Sequence, residues 1–222
     1  MPPPQAIVFD VNETLSDMSP MTDRFAEVGA PPLAQTWFAS VLRDGFAATV
    51  TGRQERFAVL ATENLRVLLT GQDLDRDVTD AVEHIMTGFM SLPLHDDVVP
   101  GVRALHAAGI RLCTLTNGSV EVAEQLLERA GIRDRFEALL SVEQAEAWKP
   151  ARVAYEYAVV QCCLDLSDVM LVAVHPWDID GAARAGMQTA WLRREGREYP
   201  SFAAHPDHTV ESVTDLADLL AG

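Results

Sequence analysis

Apolar positions fall into two regimes along this chain, one of short unbroken runs and one of spaced stripes. Residues 6–11 form a short run that is apolar on both faces and stops at Asn12-Glu13-Thr14. Such a run suits a central strand of a parallel sheet covered by helices on both sides. Residues 111–116, 170–174 and 189–192 read the same way. Between them, residues 120–130 carry apolar side chains on one stripe and end at Gly131, a natural helix terminator. Residues 153–163 make a second such stripe and residues 181–185 a shorter one. Strands alternating with helices predict an α/β fold, a doubly wound, Rossmann-like parallel sheet.

The stretch from residue 16 to residue 93 follows the other regime. Phe57, Leu60, Ala61, Asn64, Leu65 and Leu68 line one face of a helix. Val78, Val82, Ile85, Met86 and Phe89 line another, and Trp37, Phe38, Val41, Leu42 and Phe46 a third. Gly52, Gly71 and Asp73 mark breaks, and the stretch holds no convincing strand. The expected organisation is a core of residues 1–15 and 94–222 interrupted after its first strand by a helical cap, residues 16–93.

Composition narrows the partners more than the chemistry. At 222 residues, 48% hydrophobic and 23% charged, the chain has enough apolar material for one core and a smaller module. A net charge of −16 argues against nucleic acid or an anionic membrane as partner. It leaves room for a small anionic substrate, because one or two local cations outweigh a distant acidic surface. Cys113, Cys162 and Cys163 make no metal-ligand spacing, and Cys113 reads as a small buried hydrophobe. An odd cysteine count without a framework fits a reducing compartment. Residues 1–5 lack the positive lead of a signal peptide, and no stretch reaches the roughly 18 apolar residues of a membrane span. The expectation is a soluble, cytoplasmic protein.

The chemistry-bearing residues sit where predicted strands end, which is where doubly wound sheets bind ligands. Asp10 closes the first run and Thr14 follows within a tight turn. Thr116-Asn117-Gly118-Ser119 opens a helix with a hydroxyl, an amide and a permissive glycine. Lys149-Pro150 lies at a loop-to-helix junction, and residues 170–174 run into His175-Pro176-Trp177-Asp178. Each has an ordinary alternative: Asp10 as a turn cap, Lys149 as a solvated charge, Trp177 as packing.

Taken in order, Asp10-x-x-x-Thr14, Thr116-Asn117, Lys149-Pro150 and Asp178 resemble the four motifs of the haloacid dehalogenase superfamily. The resemblance covers essentially the whole chain, including a helical insert after the first motif. Superfamily phosphatases carry a second aspartate two residues after the nucleophile, where this chain has Asn12, which does not ordinarily transfer protons. Trp37-Phe38 followed by Leu42-Arg43, Lys149-Pro150 followed by Tyr155, and Trp177-Asp178 followed by Gly181-Ala182 resemble the L-2-haloacid dehalogenase subfamily.

That resemblance implies hydrolysis of short L-2-haloacids through an ester on Asp10, with no metal or other cofactor. It implies that Arg43, Asn117 and the Trp177 ring edge hold the departing halide. Thr116 and backbone N–H groups near Val11 and Asn12 would bind the substrate carboxylate. Lys149 would keep Asp10 ionised, and Thr14, Tyr155 and Asp178 would hold the network. It also suggests a homodimer. Two positions depart from the subfamily, which commonly has serine and asparagine where this chain has Ala173 and His175. His175 either replaces the asparagine as a donor within the loop or activates the hydrolytic water, with Glu13 orienting it. A Mg²⁺-dependent phosphatase or phosphonatase-like hydrolase, and a binding protein that kept the scaffold, remain the competing readings.

Overall fold

The computed structural model describes residues 3–221, except the side chain of Glu195, so Met1 and Pro2 of the Pro-rich lead lie outside the described residues. The chain divides into two compact units, Met1–Ser16 with Leu94–Gly222 and Asp17–Pro93.

In the first unit the strands are β1 (Ala6–Phe9), β2 (Arg111–Thr116), β3 (Ala138–Ser141), β4 (Val169–Ala173), β5 (Gln188–Leu192) and β6 (His208–Val210). They form one sheet in the order β3-β2-β1-β4-β5-β6, every neighbouring pair parallel. All four residues of β1 are buried, as a strand covered on both faces requires. Phe9 pairs in register with Thr114 on β2 and Val172 on β4. The residues that follow β1, β2 and β4 therefore emerge together at one edge of the sheet. The helices of this unit are α5 (Val98–Ala107), α6 (Val120–Arg129), α7 (Arg152–Gln161), α8 (Pro176–Ala185) and α9 (Val213–Ala221).

Local signals account for most of these boundaries. Ser119 caps α6 by accepting from the Val122 N–H at 3.4 Å. Helix α8 begins at Pro176 rather than at residue 181, because proline in a first turn needs no N–H partner. It ends at Gly186, whose φ of 107° favours glycine. Strands β4 and β5 each begin one residue earlier than the apolar runs suggested, and β3, β6, α5 and α9 were not marked by the pattern at all. Gly101, inside α5, is needed for packing, since a Cβ there would lie 2.6 Å from the Val213 carbonyl carbon at the start of α9.

The second unit holds α1 (Pro20–Ala26), α2 (Ala34–Val50), α3 (Phe57–Leu69) and α4 (Val78–Met90), and no strand among the described residues. Its core is aromatic. Trp37 lies 5.8 Å from Phe25 and 5.6 Å from Phe89 between ring centroids, and Phe57 stacks on Phe89 at 5.2 Å. The Trp37 indole donates to the Ala61 carbonyl at 2.9 Å, so its polar atom is satisfied inside the core. The buried face of α2 runs through Trp37, Phe38, Val41, Gly45 and Ala48, whereas Leu42 and Phe46 are only half-buried. Among the described residues, no helix is long and apolar enough to cross a membrane.

Candidate active site

At the edge where β1 ends, Asp10 is buried and bonded through both oxygens. Its Oδ2 accepts from the Thr14 hydroxyl at 2.7 Å and its Oδ1 from the Lys149 ammonium at 2.8 Å. The Thr14 oxygen itself accepts from the Val174 N–H at 3.0 Å. That bond fixes the direction of the hydroxyl proton, which must point at Asp10. Lys149 is fully buried and also donates to Asp178 Oδ2 at 2.6 Å. Asp178 in turn accepts from the Tyr155 hydroxyl, at 2.6 Å on Oδ1 and 3.1 Å on its carbonyl. Two carboxylates thus share one ammonium in a water-poor setting, where opposite charges interact strongly.

The two acids are driven apart by their surroundings. Burial alone would raise the Asp10 carboxyl, but Lys149, His175 and the Thr14 hydroxyl outweigh it and hold Asp10 below the ordinary 3.8. For Asp178 burial prevails over Lys149, helped by repulsion from Asp10, and the carboxyl is pushed above 3.8. Burial would lower Lys149, yet the two carboxylates overcome it and keep the ammonium protonated beyond 10.5. Asp10 is accordingly the group held as an anion, and Asp178 the one that takes up a proton more easily.

The neighbouring loops are fastened to this trio. Asn117 bonds the Lys149 backbone from both ends of its amide, its Oδ1 accepting from the Lys149 N–H at 2.9 Å and its Nδ2 donating to the Lys149 carbonyl at 3.3 Å. Thr116 accepts from the Gly118 N–H at 2.9 Å, and Ser141 donates to the Gly118 carbonyl at 2.7 Å, which holds the turn after β2. The buried Val11 closes the turn after β1, its carbonyl accepting from Leu15 and Ser16 at 2.9 and 3.0 Å. Gly181 leaves no room for a side chain, because a Cβ would lie 2.6 Å from both the Tyr155 oxygen and the Pro150 Cβ.

His175 faces the same edge. Its Nε2 lies 3.2 Å from the Asn12 carbonyl, 3.6 Å from a Glu13 carboxylate oxygen and 3.7 Å from Asp10 Oδ2. Its ring stacks on Trp177 at 4.9 Å and 18°. Glu13 sits at a left-handed φ of 60°, and its carbonyl lies 3.1 Å from the His95 Nε2. Three acceptors around one nitrogen favour a proton there, so the resting geometry suits His175 as a donor to the Asn12 carbonyl.

Several supporting residues carry no sequence signal that the strand-end pattern exposes. Arg194, just beyond β5, donates to the Thr14 carbonyl at 2.9 Å and to Asp97 at 2.9 and 3.3 Å. Asp97 also accepts from the Val213 N–H at 2.7 Å. The Trp191 indole donates to the Val174 carbonyl at 3.0 Å, bracing the residue whose N–H binds Thr14. In the helical unit, Arg43 projects from α2 with its side chain 68% exposed, and its Nε donates to Asp44 at 2.7 Å.

A divalent cation does not fit this donor set. The facing oxygens of Asp10 and Asp178 are taken by the Lys149 ammonium, and the Asn12 carbonyl lies against His175. Among the described residues, no group of three or more His, Cys, Asp or Glu is arranged to hold a metal ion.

Comparison with known proteins agrees with the geometry. The model of a haloacid dehalogenase-like hydrolase matches residues 4–186. Haloacetate dehalogenase H-2 of Moraxella sp. (strain B) is 28% identical over 221 residues, covering 98% of each chain. The (S)-2-haloacid dehalogenase of Pseudomonas sp. (strain YL) is 27% identical over 218 residues, 97% of this chain and 94% of that protein. The crystal structure of a dehalogenase with an intermediate complex superposes with a TM-score of 0.92 at 26% identity, covering 100% of this chain and 99% of that one. With a family match across most of its length, the chain belongs to the haloacid dehalogenase-like hydrolases.

Proposed function

We propose that this hydrolase converts short L-2-haloacids to 2-hydroxyacids and halide, with Asp10 as the nucleophile. The observation that carries this reading is a carboxylate held ionised by a buried lysine, with Asn12 rather than an acid two residues on. An oxygen of Asp10 attacks C2 of the haloacid, and the carbon–halogen bond breaks with its electron pair going to the halide. Water then adds at the Asp10 carbonyl carbon, the ester C–O bond on the enzyme side breaks, and the hydroxyacid leaves. Asp10 regains its carboxylate with one oxygen derived from water. No step needs a metal or an organic cofactor.

Lys149 orients Asp10 and keeps it anionic, while Thr14, Tyr155 and Asp178 hold the lysine and the carboxylate in register. Thr116 and the backbone around Val11 and Asn12 receive the substrate carboxylate. Arg43, Asn117 and Trp177 are assigned to the developing halide on the strength of the resemblance. The helical unit is assigned as the cap because its helices interrupt the α/β pattern after the first strand, a homodimer is assigned by resemblance, and the cytoplasm by the odd cysteine count. His175 is assigned to the second half-reaction, where the attacking water must give up a proton. That role requires its ring proton on Nδ1, so the contact with the Asn12 carbonyl opens when water enters.

The test is halide release from L- and D-2-chloropropionate, with and without EDTA, beside Asp10→Asn. EDTA-resistant chloride release from the L enantiomer that vanishes in the variant is the expected result. A single turnover in ¹⁸O-water should then label the Asp10 side chain. Absence of chloride from both enantiomers would overturn the reading.

A further inference from the structure

Cys113 lies in the middle of β2, buried and paired in register with Val8 on β1 and Ala138 on β3. Its Sγ is 3.4 Å from the Sγ of Cys162, the residue that closes α7 and is likewise buried. The Arg111 guanidinium ties the two segments together, donating to the Cys162 carbonyl at 2.8 Å and to Glu137 at 2.7 Å. The two thiols are not equivalent. A hydrogen bond from Cys113 holds the Cys162 thiol below the ordinary 9.0, with Arg111 adding to the effect. The same bond, together with burial, pushes the Cys113 thiol up. Cys162 is therefore the sulfur with thiolate character, and Cys113 the one that keeps its proton. Access follows from the same geometry. Cys113 is pinned inside the sheet, but Cys162 stands where the hydrogen-bond ladder of α7 ends, beside the exposed Cys163 at a left-handed φ of 54°. Opening that one turn brings Cys162 to solvent.

We propose that Cys113 and Cys162 form a redox site that hydroperoxides convert into a reversible disulfide, clamping β2 to the end of α7. The hydroperoxide transfers one oxygen to the Cys162 sulfur, giving a sulfenic acid and an alcohol, or water when the oxidant is hydrogen peroxide. The Cys113 sulfur then attacks that sulfur, the S–O bond breaks, and the Cys113 proton leaves with the departing hydroxide as water. The sulfurs close from 3.4 Å to a bond of about 2.0 Å, so movement of the helix-end turn suffices. A reducing compartment keeps the pair open, and a bond formed there is a transient response to oxidant. The clamp joins residues 49 apart, on the strand that ends at Thr116 and the helix that carries Tyr155. Tyr155 lies in the first turn of α7, away from the end that Cys162 closes, so the bond adds stability without displacing the Asp10 network.

The experiment treats the folded protein and its Cys163→Ser variant with hydrogen peroxide, counts free thiols after denaturation and maps the bond in a non-reduced digest. In Cys163→Ser, which keeps only the two buried thiols, the count should fall from two to none. In both proteins Cys113 should be found joined to Cys162, and the melting temperature should rise on the order of 5 °C. Dithiothreitol should reverse the bond and the rise. Cys162→Ala should lose the rise; if that variant does not fold, the digest of the wild type still identifies the bond. Two thiols that still titrate in treated Cys163→Ser would overturn the inference. So would a wild-type bond from Cys163 to Cys162 or to a second chain, or conversion of the thiols to sulfinic acids with no bond formed.

Discussion

The molecule holds two cation–carboxylate systems that differ in almost everything except their chemistry. Lys149 sits between Asp10 and Asp178 with no solvent exposure, and every partner is locked by a further bond from Thr14 or Tyr155. Arg43 meets Asp44 at the surface of the helical unit, with side chains 68% and 36% exposed. In the buried trio the charges cannot relax into water, so geometry and ionisation are fixed together. In the exposed pair water and salt share the load, and the cation stays adjustable.

Breaking the buried trio should have the largest effect. Lys149→Met leaves two carboxylates buried without their cation, which should cost about 3–5 kcal/mol of stability. Its kcat should fall on the order of 10³-fold as Asp10 loses charge stabilisation and aim. Denaturant unfolding and steady-state halide release check both. A folded variant with near-normal turnover would dissolve the contrast drawn above.

The next effect separates the two half-reactions. His175→Asn should slow ester hydrolysis about 10²-fold, the worth of a general base, while ester formation stays near wild type. Halide would then appear as a burst followed by a slow phase. Unchanged ester turnover would return His175 to a donor within the loop.

pH sharpens the comparison further. The Asp10 carboxyl is depressed, so its contribution to stability is present above 3.8 and is lost only as pH falls through its lower folded value. Lys149 is raised, so its contribution is full below 10.5 and is lost as pH rises through its higher folded value. Asp178 is shifted the opposite way from Asp10 and takes up a proton above 3.8, which removes one of the two partners of Lys149. The acid limb of ester formation, measured as the halide burst, should therefore lie above 3.8. A limb below 3.8 would mean that Asp10 alone governs it.

The smallest expected effect concerns the support behind Thr14. Arg194→Met leaves Asp97 and the Thr14 carbonyl short of a donor and should cost about 1–3 kcal/mol in thermal or denaturant unfolding. Its kcat should change less than in either variant above.

Much of the site was legible because Asp10, Thr14, Lys149, Tyr155 and Asp178 lie at strand ends or helix starts, where apolar runs stop abruptly. Local pattern and resemblance point to the same residues there, except Tyr155, which the resemblance alone singles out. Asn117 shows the limit. Its side chain reads as a ligand to an anion, and in the structure both ends of its amide also bond the Lys149 backbone, a role the sequence does not show. That pairing depends on a fold between residues 32 apart in sequence, which no local window contains. Arg194, Asp97 and Trp191 escaped notice for the same reason, since Arg194 and Trp191 donate to backbone carbonyls of distant segments and Asp97 accepts from Arg194 and the Val213 N–H. The short strands β3 and β6 were missed because they carry polar or half-exposed residues at the sheet's two outer positions. On α2 the stripe read from the apolar residues included Leu42 and Phe46, which are half-buried, and left out the small Gly45 and Ala48, which are buried, because small residues give a weak apolar signal.

The position of β1 also sets the order in which the molecule can assemble. Ala6–Phe9 is synthesised before either of its two partners, which begin only at Arg111 and Val169. Until the first of them emerges, an entirely apolar segment has no sheet to join, while the helical unit that follows it needs only nearby contacts. The aspartate proposed to do the chemistry thus waits for later segments, and the closing of β4 against β1 is the event that brings Asp178 to the same edge. Folding and arming of the enzyme are one step.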